Sequence, residues 1–393
     1  MLRKFLLTPI FVFLMLISCK KESGFPVGNR GDVVNAEKTM ELSINDIDAN
    51  ATDFPVDTLS EYGVVLYTLT YTSEYLGELK NTKGVLIVPM GLDSVDLIGY
   101  FHGTHVPLAI SGVNKSTPSL YDGGDHDFLE MRSVAIPMAS NGYAVFVPDY
   151  FGYNLTKDLE HPFVYYPELF KANIDGLLAA KSHLNSLGYV FTNDLFLTGW
   201  SQGGGAALSA HKFIQEGFLG TFDLKATSGL AGPYDFYAFL QDVFDRRSES
   251  ISRLNLYSWA LYAVNRFSSI QRPTDQLWNY EVFDQTAAFT PPSNVPNNSF
   301  NTYFLSKMID ETDTLMINEL VKNTFSKNWT PIGKVFLHHG DADDVVPYFN
   351  SVNAFSNLGN AGGDLKMYTY QGGDHFTPLE NFVKRTLKDF NEL

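Results

Sequence analysis

Asp194-Leu195-Phe196-Leu197-Thr198-Gly199-Trp200-Ser201-Gln202-Gly203-Gly204 decides the reading of this chain. Its first five residues are a short apolar run of strand character. A tight glycine turn follows, then residues 205–216, a small-residue-rich segment of helical pattern. G-x-S-x-G alone is a weak signal, since glycine and serine are common. Directly after a strand and before a helix, it describes a turn that needs glycine on both flanks, because a side chain there would clash with the neighbouring backbone. The helix N-terminus beneath Ser201 adds partial positive charge where an alkoxide or oxyanion would develop. Ser201 is therefore a candidate nucleophile.

Working outward, residues 64–71 alternate β-branched, aromatic and polar types. Gly84-Val85-Leu86-Ile87-Val88-Pro89 follows a turn near Gly77, and the pair reads as antiparallel strands. Residues 96–101, 143–147 and 194–198 are apolar runs without alternation, and 226–230, 334–338 and 365–370 are further strand candidates. Strands buried on both faces read this way, which predicts an α/β fold with a mostly parallel central sheet flanked by helices. Helices are expected over 167–187 and 378–390. From 234 to 330 the alternation stops. Helical pieces at 236–244, 254–267 and 304–325, interrupted by a loop at 289–298, predict a helical cap inserted between two late strands.

The N-terminus has a different character. Arg3 and Lys4 precede a short apolar stretch, 5–17, the pattern of a secretory signal peptide and too short to span a bilayer. Leu16-Ile17-Ser18-Cys19 looks like a bacterial lipobox, which implies cleavage before Cys19 and lipidation of its thiol. The expected organisation is a signal peptide at 1–18, a lipidated N-terminus and tether at 19–56, a core at 57–233 and 331–393, and the cap at 234–330. The expected location is the bacterial cell envelope, on the periplasmic or outer-membrane face, with the lipid as membrane anchor. Cys19 is the single cysteine of 393 residues, so an intrachain disulfide and a thiolate zinc site are excluded. A net charge of −16 with no basic run argues against nucleic-acid binding.

A serine hydroxyl needs a base, and the base an orienting acid. Among nine histidines, His375 stands on the glycine loop Gly372-Gly373-Asp374-His375, just after the last strand candidate. Gly340-Asp341-Ala342-Asp343-Asp344 follows the preceding one. Without a central glycine and a distal glutamate it is no EF-hand loop. The order Ser201, Asp343, His375 is the Ser…Asp…His order of an α/β-hydrolase. An oxyanion hole would use the backbone N–H of Gln202 and one from His102-Gly103-Thr104, either Gly103 or Thr104. No metal or cofactor motif is present. His102, His105 and Asp125-His126-Asp127 are tempting but match no ligand pattern.

His102-Gly103-Thr104, Pro148-Asp149-Tyr150-Phe151-Gly152-Tyr153, Gly199 to Gly204, Gly232-Pro233-Tyr234-Asp235 and Gly340-x-x-Asp343-x-x-Val346-Pro347 together resemble the α/β-hydrolase superfamily. More narrowly they are similar to the secreted lipase/esterase group typified by fungal lipase A and its bacterial relatives. The resemblance covers residues 64–393. It implies a carboxylic-ester hydrolase with Ser201 as nucleophile, Asp343 as orienting acid and His375 as base, acting on a small-molecule, lipid or sugar ester. The G-x-x-D-x-x-V spacing selects Asp343 over Asp341 and Asp344. Peptidases and acyltransferases share these motifs, and an inactive envelope binding protein is the rival from another class. The cap aromatics Trp259, Tyr262, Phe267, Trp278 and Tyr280 are expected either to line an apolar pocket or to glue the cap to the core.

Overall fold

The computed structural model describes residues 29–113, 117–123 and 128–393; the leader, Cys19 and Asp125-His126-Asp127 lie outside them. Among the described residues the strands are β1 (Val33–Leu42), β2 (Val64–Tyr75), β3 (Glu78–Pro89), β4 (Ser94–Phe101), β5 (Ala144–Pro148), β6 (Val190–Trp200), β7 (Asp223–Leu230), β8 (Lys334–Gly340) and β9 (Asp364–Tyr370). The helices before the cap are α1 (Ile44–Asn50), α2 (Leu108–Ser111), α3 (Ile136–Ser140), α4 (Tyr166–Ser186) and α5 (Gln202–Gly217). The cap holds α6 (Phe236–Asp245), α7 (Leu254–Phe267), α8 (Gln285–Phe289), α9 (Pro296–Ser299), α10 (Thr302–Ile309) and α11 (Thr314–Lys322). The chain ends with α12 (Phe349–Asn360) and α13 (Leu379–Asn391).

The strands form one sheet in the order β1-β2-β3-β5-β4-β6-β7-β8-β9. The β1–β2, β2–β3 and β3–β5 pairs are antiparallel, and every pair from β5 to β9 is parallel. Leu76 and Gly77 join β2 to β3 with φ of 50° and 83°, the two left-handed residues that a two-residue hairpin turn requires. Successive residues of the parallel strands serve opposite cores. Leu97, Leu195, Leu197 and Leu337 pack with α4 and α5, whereas Ile98, Phe196 and Phe336 pack with Met138 of α3 and with Phe382 and Leu387 of α13. Burial on both faces is why these strands read as unbroken apolar runs.

Two expectations are corrected. The segment expected to be a tether carries β1, paired along β2 from Val33↔Tyr71 to Leu42↔Val64, and α1, closed by a Ser43–Asp46 capping box. Leu42, Ile47 and Val56 are buried, so the folded unit begins well before residue 57. β1 is an edge strand with most side chains exposed, and a charged, weakly alternating edge gives little apolar signal. The helical piece expected over 304–325 is two helices, because Glu311 turns left-handed (φ 53°) and the Asp313 side chain caps α11 by accepting from the Met316 N–H. Cap residues Trp259, Trp278 and Phe304 share the core of α4 and α5. No helix among the described residues is long and apolar enough to cross a membrane.

Candidate active site

β6 delivers Ser201 into a strained turn, with φ 58° and ψ −121°, and α5 starts at the next residue. Glycine flanks make the turn possible. A Cβ on Gly203 would stand 1.8 Å from the Phe101 carbonyl oxygen, and one on Gly199 would stand 2.4 Å from the Gly203 oxygen. The start of α5 is thereby pressed against the end of β4, which brings the loop His102-Gly103-Thr104 beside Ser201. The Ser201 N–H donates to the Leu230 carbonyl at 2.8 Å, tying the turn to β7.

Asp343 and His375 arrive from the loops after β8 and β9, at the same carboxyl end of the sheet. His375 Nε2 lies 2.8 Å from Ser201 Oγ, and His375 Nδ1 lies 2.7 Å from Asp343 Oδ2. Ser201 is 8% and His375 3% exposed, and the Asp343 side chain has no exposed surface. The His375 loop is held by Asp374, whose Oδ1 accepts the N–H groups of Phe376 and Thr377, and by Trp200, whose indole N–H donates to the His375 carbonyl at 3.0 Å. Asp341 and Asp344 are exposed. Asp341 instead accepts the Gly372 N–H at 2.6 Å.

Asp343 has further partners. Its Oδ1 accepts the N–H groups of Val345 (2.8 Å) and Val346 (2.9 Å), and His339 Nε2 lies 3.2 Å from Oδ2. Burial pushes its carboxyl up, but the hydrogen bonds of His339 and His375 outweigh this and hold it well below the usual carboxylate range. His339 Nε2 also meets the Val346 carbonyl at 2.8 Å, so it faces two acceptors and carries the proton; Nδ1 then accepts from Ser351 Oγ at 2.7 Å. The sequence expects one of His338 and His339 to be structural. His338 lies on the opposite core, stacked on Tyr368 and 2.9 Å from the Tyr370 hydroxyl.

The two glycine-loop candidates separate. Gly103 is corrected as an oxyanion donor, because its N–H already donates to Glu130, at 3.0 Å to Oε1 and 2.8 Å to Oε2. The Thr104 N–H donates to no group among the described residues, and the Gln202 N–H belongs to the first turn of α5, where no intrahelical acceptor exists. Thr104, Ser201 and Gln202 line one narrow cleft. The Gln202 side chain is steadied by His161, whose Nε2 meets its amide at 3.2 Å and whose Nδ1 lies 2.8 Å from the Phe151 carbonyl. Burial lowers the His161 pKa to about 4, so the ring stays neutral.

The rest of the cleft is apolar: Phe163, Val164, Pro233, Phe236, Phe239, Leu240, Leu256, Tyr257, Ala260, Val345 and Val346. None of the five cap aromatics named from the sequence lines it. Trp259 stacks on Phe163 at 4.0 Å, Tyr262 donates to Glu160, and Phe267 packs on Tyr75, so these three attach the cap to the core, whereas Trp278 donates to Ser258 Oγ within the cap. His102 and His105 stack ring on ring at 4.3 Å, and no group of three potential metal ligands exists among the described residues. His339, Glu130 and His161 escape sequence reasoning, since only long-range contacts distinguish them from other buried polar residues.

No protein-family model and no curated protein sequence matches the chain. Solved structures do. The rice cell wall degrading esterase LipA of Xanthomonas oryzae superimposes with a TM-score of 0.78 at 21% identity, covering 93% of this chain and 99% of that one. A candidate hydrolase of Legionella pneumophila gives 0.77 at 20% identity, covering 92% and 97%. Candida antarctica lipase A gives 0.60 at 14%, covering 92% of this chain and 83% of that one. At such identities the likeness concerns the fold, and the chain shares the α/β-hydrolase fold of these esterases and lipases.

Proposed function

We propose that the protein hydrolyses carboxylic esters through an acyl-enzyme on Ser201. In this cycle His375 Nε2 takes the Ser201 proton as Oγ attacks the acyl carbon. Asp343 holds the ring in the tautomer with Nδ1–H and stabilises the imidazolium. The N–H groups of Gln202 and Thr104 donate to the oxyanion of the tetrahedral intermediate. The imidazolium then protonates the leaving alkoxide, releasing the alcohol. Water, deprotonated by His375, attacks the acyl-enzyme, and the collapse of the second intermediate returns the proton to Ser201 and frees the acid. The observation that carries the reading is the unbroken Ser201–His375–Asp343 hydrogen-bond line, at 2.8 and 2.7 Å, opening into an apolar cleft.

Ester chemistry is favoured over an aminopeptidase by the lining, which among the described residues contains no carboxylate to receive a substrate α-ammonium group. The apolar wall suits an uncharged acyl or aryl group. Lipidation at Cys19 would tether the enzyme to the bacterial envelope. The test is turnover of a p-nitrophenyl ester series from acetyl to palmitoyl, with an alanyl anilide alongside. Ser201→Ala is expected to lose roughly 10⁴- to 10⁶-fold in kcat with the fold retained. Retained ester turnover in Ser201→Ala removes the nucleophile. Anilide cleavage exceeding that of every ester makes the enzyme a peptidase.

A further inference from the structure

One buried carboxylate beside the site has no part in the cycle above. Glu130, at the entrance of the π-helical turn Met131–Ala135, is only 6% exposed. Its two oxygens share the Gly103 N–H, and Oε2 also accepts the Tyr100 hydroxyl at 2.5 Å. Tyr100 is buried; burial, and then the Glu130 charge beside it, push its pKa well above the ordinary range, so the phenol keeps its proton and donates. His105 Nε2 stands 3.6 Å from Oε1. The other side of the loop is held as well. The His102 carbonyl accepts from the Tyr150 hydroxyl at 3.0 Å, and the His105 carbonyl accepts from the Tyr153 hydroxyl at 2.5 Å. Thr104 sits between these fixed points.

Gly103 and Thr104 present consecutive amide N–H groups in a loop that only one of them can aim into the cleft. A buried N–H without an acceptor is costly, so the Gly103 peptide would turn toward any available partner and carry the Thr104 peptide with it. A carboxylate acceptor makes the Gly103 bond charge-assisted, stronger than one to a neutral oxygen. The absence of a side chain at 103 lets it approach: a Cβ there would stand 3.2 Å from Glu130 Oε1 and 3.3 Å from the Trp200 ring. We infer that Glu130 is a positioning residue for the oxyanion hole: by engaging the Gly103 N–H it fixes the loop so that the Thr104 N–H points at the developing oxyanion.

This inference rests on Ser201 being the nucleophile. Its test uses the full chain with Glu130→Gln and Glu130→Ala. The readouts are kcat and KM for a short p-nitrophenyl ester, the rate of Ser201 phosphonylation by a fluorophosphonate followed by mass, and a thermal melt. Oxyanion donors act in the transition state, so Glu130→Ala is expected to lose on the order of 10²-fold in both kcat and phosphonylation rate, with KM within about threefold. Glu130→Gln keeps a carbonyl acceptor without the charge, and is expected to lose only about three- to tenfold in the same two rates. If Glu130→Ala does not fold, Glu130→Gln carries the test alone. A purely structural role would lower the melting temperature and leave both rates of the folded variants at wild-type values, which overturns the inference. Absence of Ser201 phosphonylation in the wild type overturns the nucleophile reading and this one with it, whereas normal labelling at unchanged rates in the variants overturns this one alone.

Discussion

Asp343→Asn is the sharpest perturbation of the proposed mechanism, because the surrounding hydrogen bonds dictate how the amide must sit. Oδ1 of Asp343 accepts two backbone N–H groups, from Val345 and Val346, at 2.8 and 2.9 Å. An asparagine would keep its carbonyl oxygen there, since placing its NH₂ against two donors leaves three groups unpaired. Its NH₂ would then face His375 Nδ1 and His339 Nε2, where Oδ2 stands now. A donor at Nδ1 moves the imidazole proton to Nε2, and a protonated Nε2 cannot take the proton of Ser201. Loss of the orienting charge and a wrong tautomer together cost on the order of 10⁴ in kcat, about 5–6 kcal/mol. The NH₂ also meets the His339 N–H head on, so the variant should melt lower. The assay is kcat and KM for a p-nitrophenyl ester, with active sites counted by phosphonylation, alongside Asp341→Asn and Asp344→Asn. Those two should stay within a few-fold of wild type, since both are exposed and His375 Nδ1 is bonded to Asp343 instead. Asp343→Asn within tenfold of wild type, or an equal loss in either neighbour, would refute the reasoning.

Asp149 offers a pH test of a different kind. Burial raises its carboxyl to about 6 despite hydrogen bonds from the Ser119 N–H and hydroxyl. The folded state therefore holds this proton more tightly than the unfolded chain, whose value is about 3.9. The site's contribution is fully present below pH about 4 and lost as pH rises through about 6, worth about 3 kcal/mol. Buried His161, lowered to about 4, works in the opposite direction, its contribution being lost as pH falls from about 6.5 toward 4. The difference in unfolding free energy between Asp149→Asn and wild type should thus shift in favour of the variant by about 2 kcal/mol from pH 4 to pH 7; a pH-independent difference contradicts the assignment. Ala260→Trp, on the cleft wall, should depress turnover of long-chain p-nitrophenyl esters at least about tenfold relative to the acetyl ester by filling acyl space; an unchanged chain-length profile places the acyl group elsewhere.

The fold is legible in the sequence where the governing physics is local. An apolar run, a turn flanked by glycines and a small-residue helix lie within residues 194–216, and the clash that demands Gly199 and Gly203 involves backbone that any such strand–turn–helix brings together. His375 is legible because it stands on a glycine loop after a strand, and the parallel strands because burial on both faces removes alternation. Edge strand β1 and the break between α10 and α11 are poorly legible. The first has one half-wet face, and the second depends on a left-handed Glu311 and a single cap at Asp313.

Local sequence specifies the strand–turn–helix of Ser201, the alternation of strands and helices around it, and the order of the three polar residues. How backbone donors and buried polar groups are shared out depends on contacts between residues far apart in the chain. Thr104 rather than Gly103 has an N–H without an acceptor among the described residues because Glu130, 27 residues from Gly103, takes the other one. Asp343 is held from two sides because His339 folds back onto it, and Trp259 braces the cap instead of lining the cleft because Phe163 covers its ring. Each hydrogen-bond donor or ring face serves the neighbour that packing brings to it, and that neighbour is known only once the chain has closed on itself.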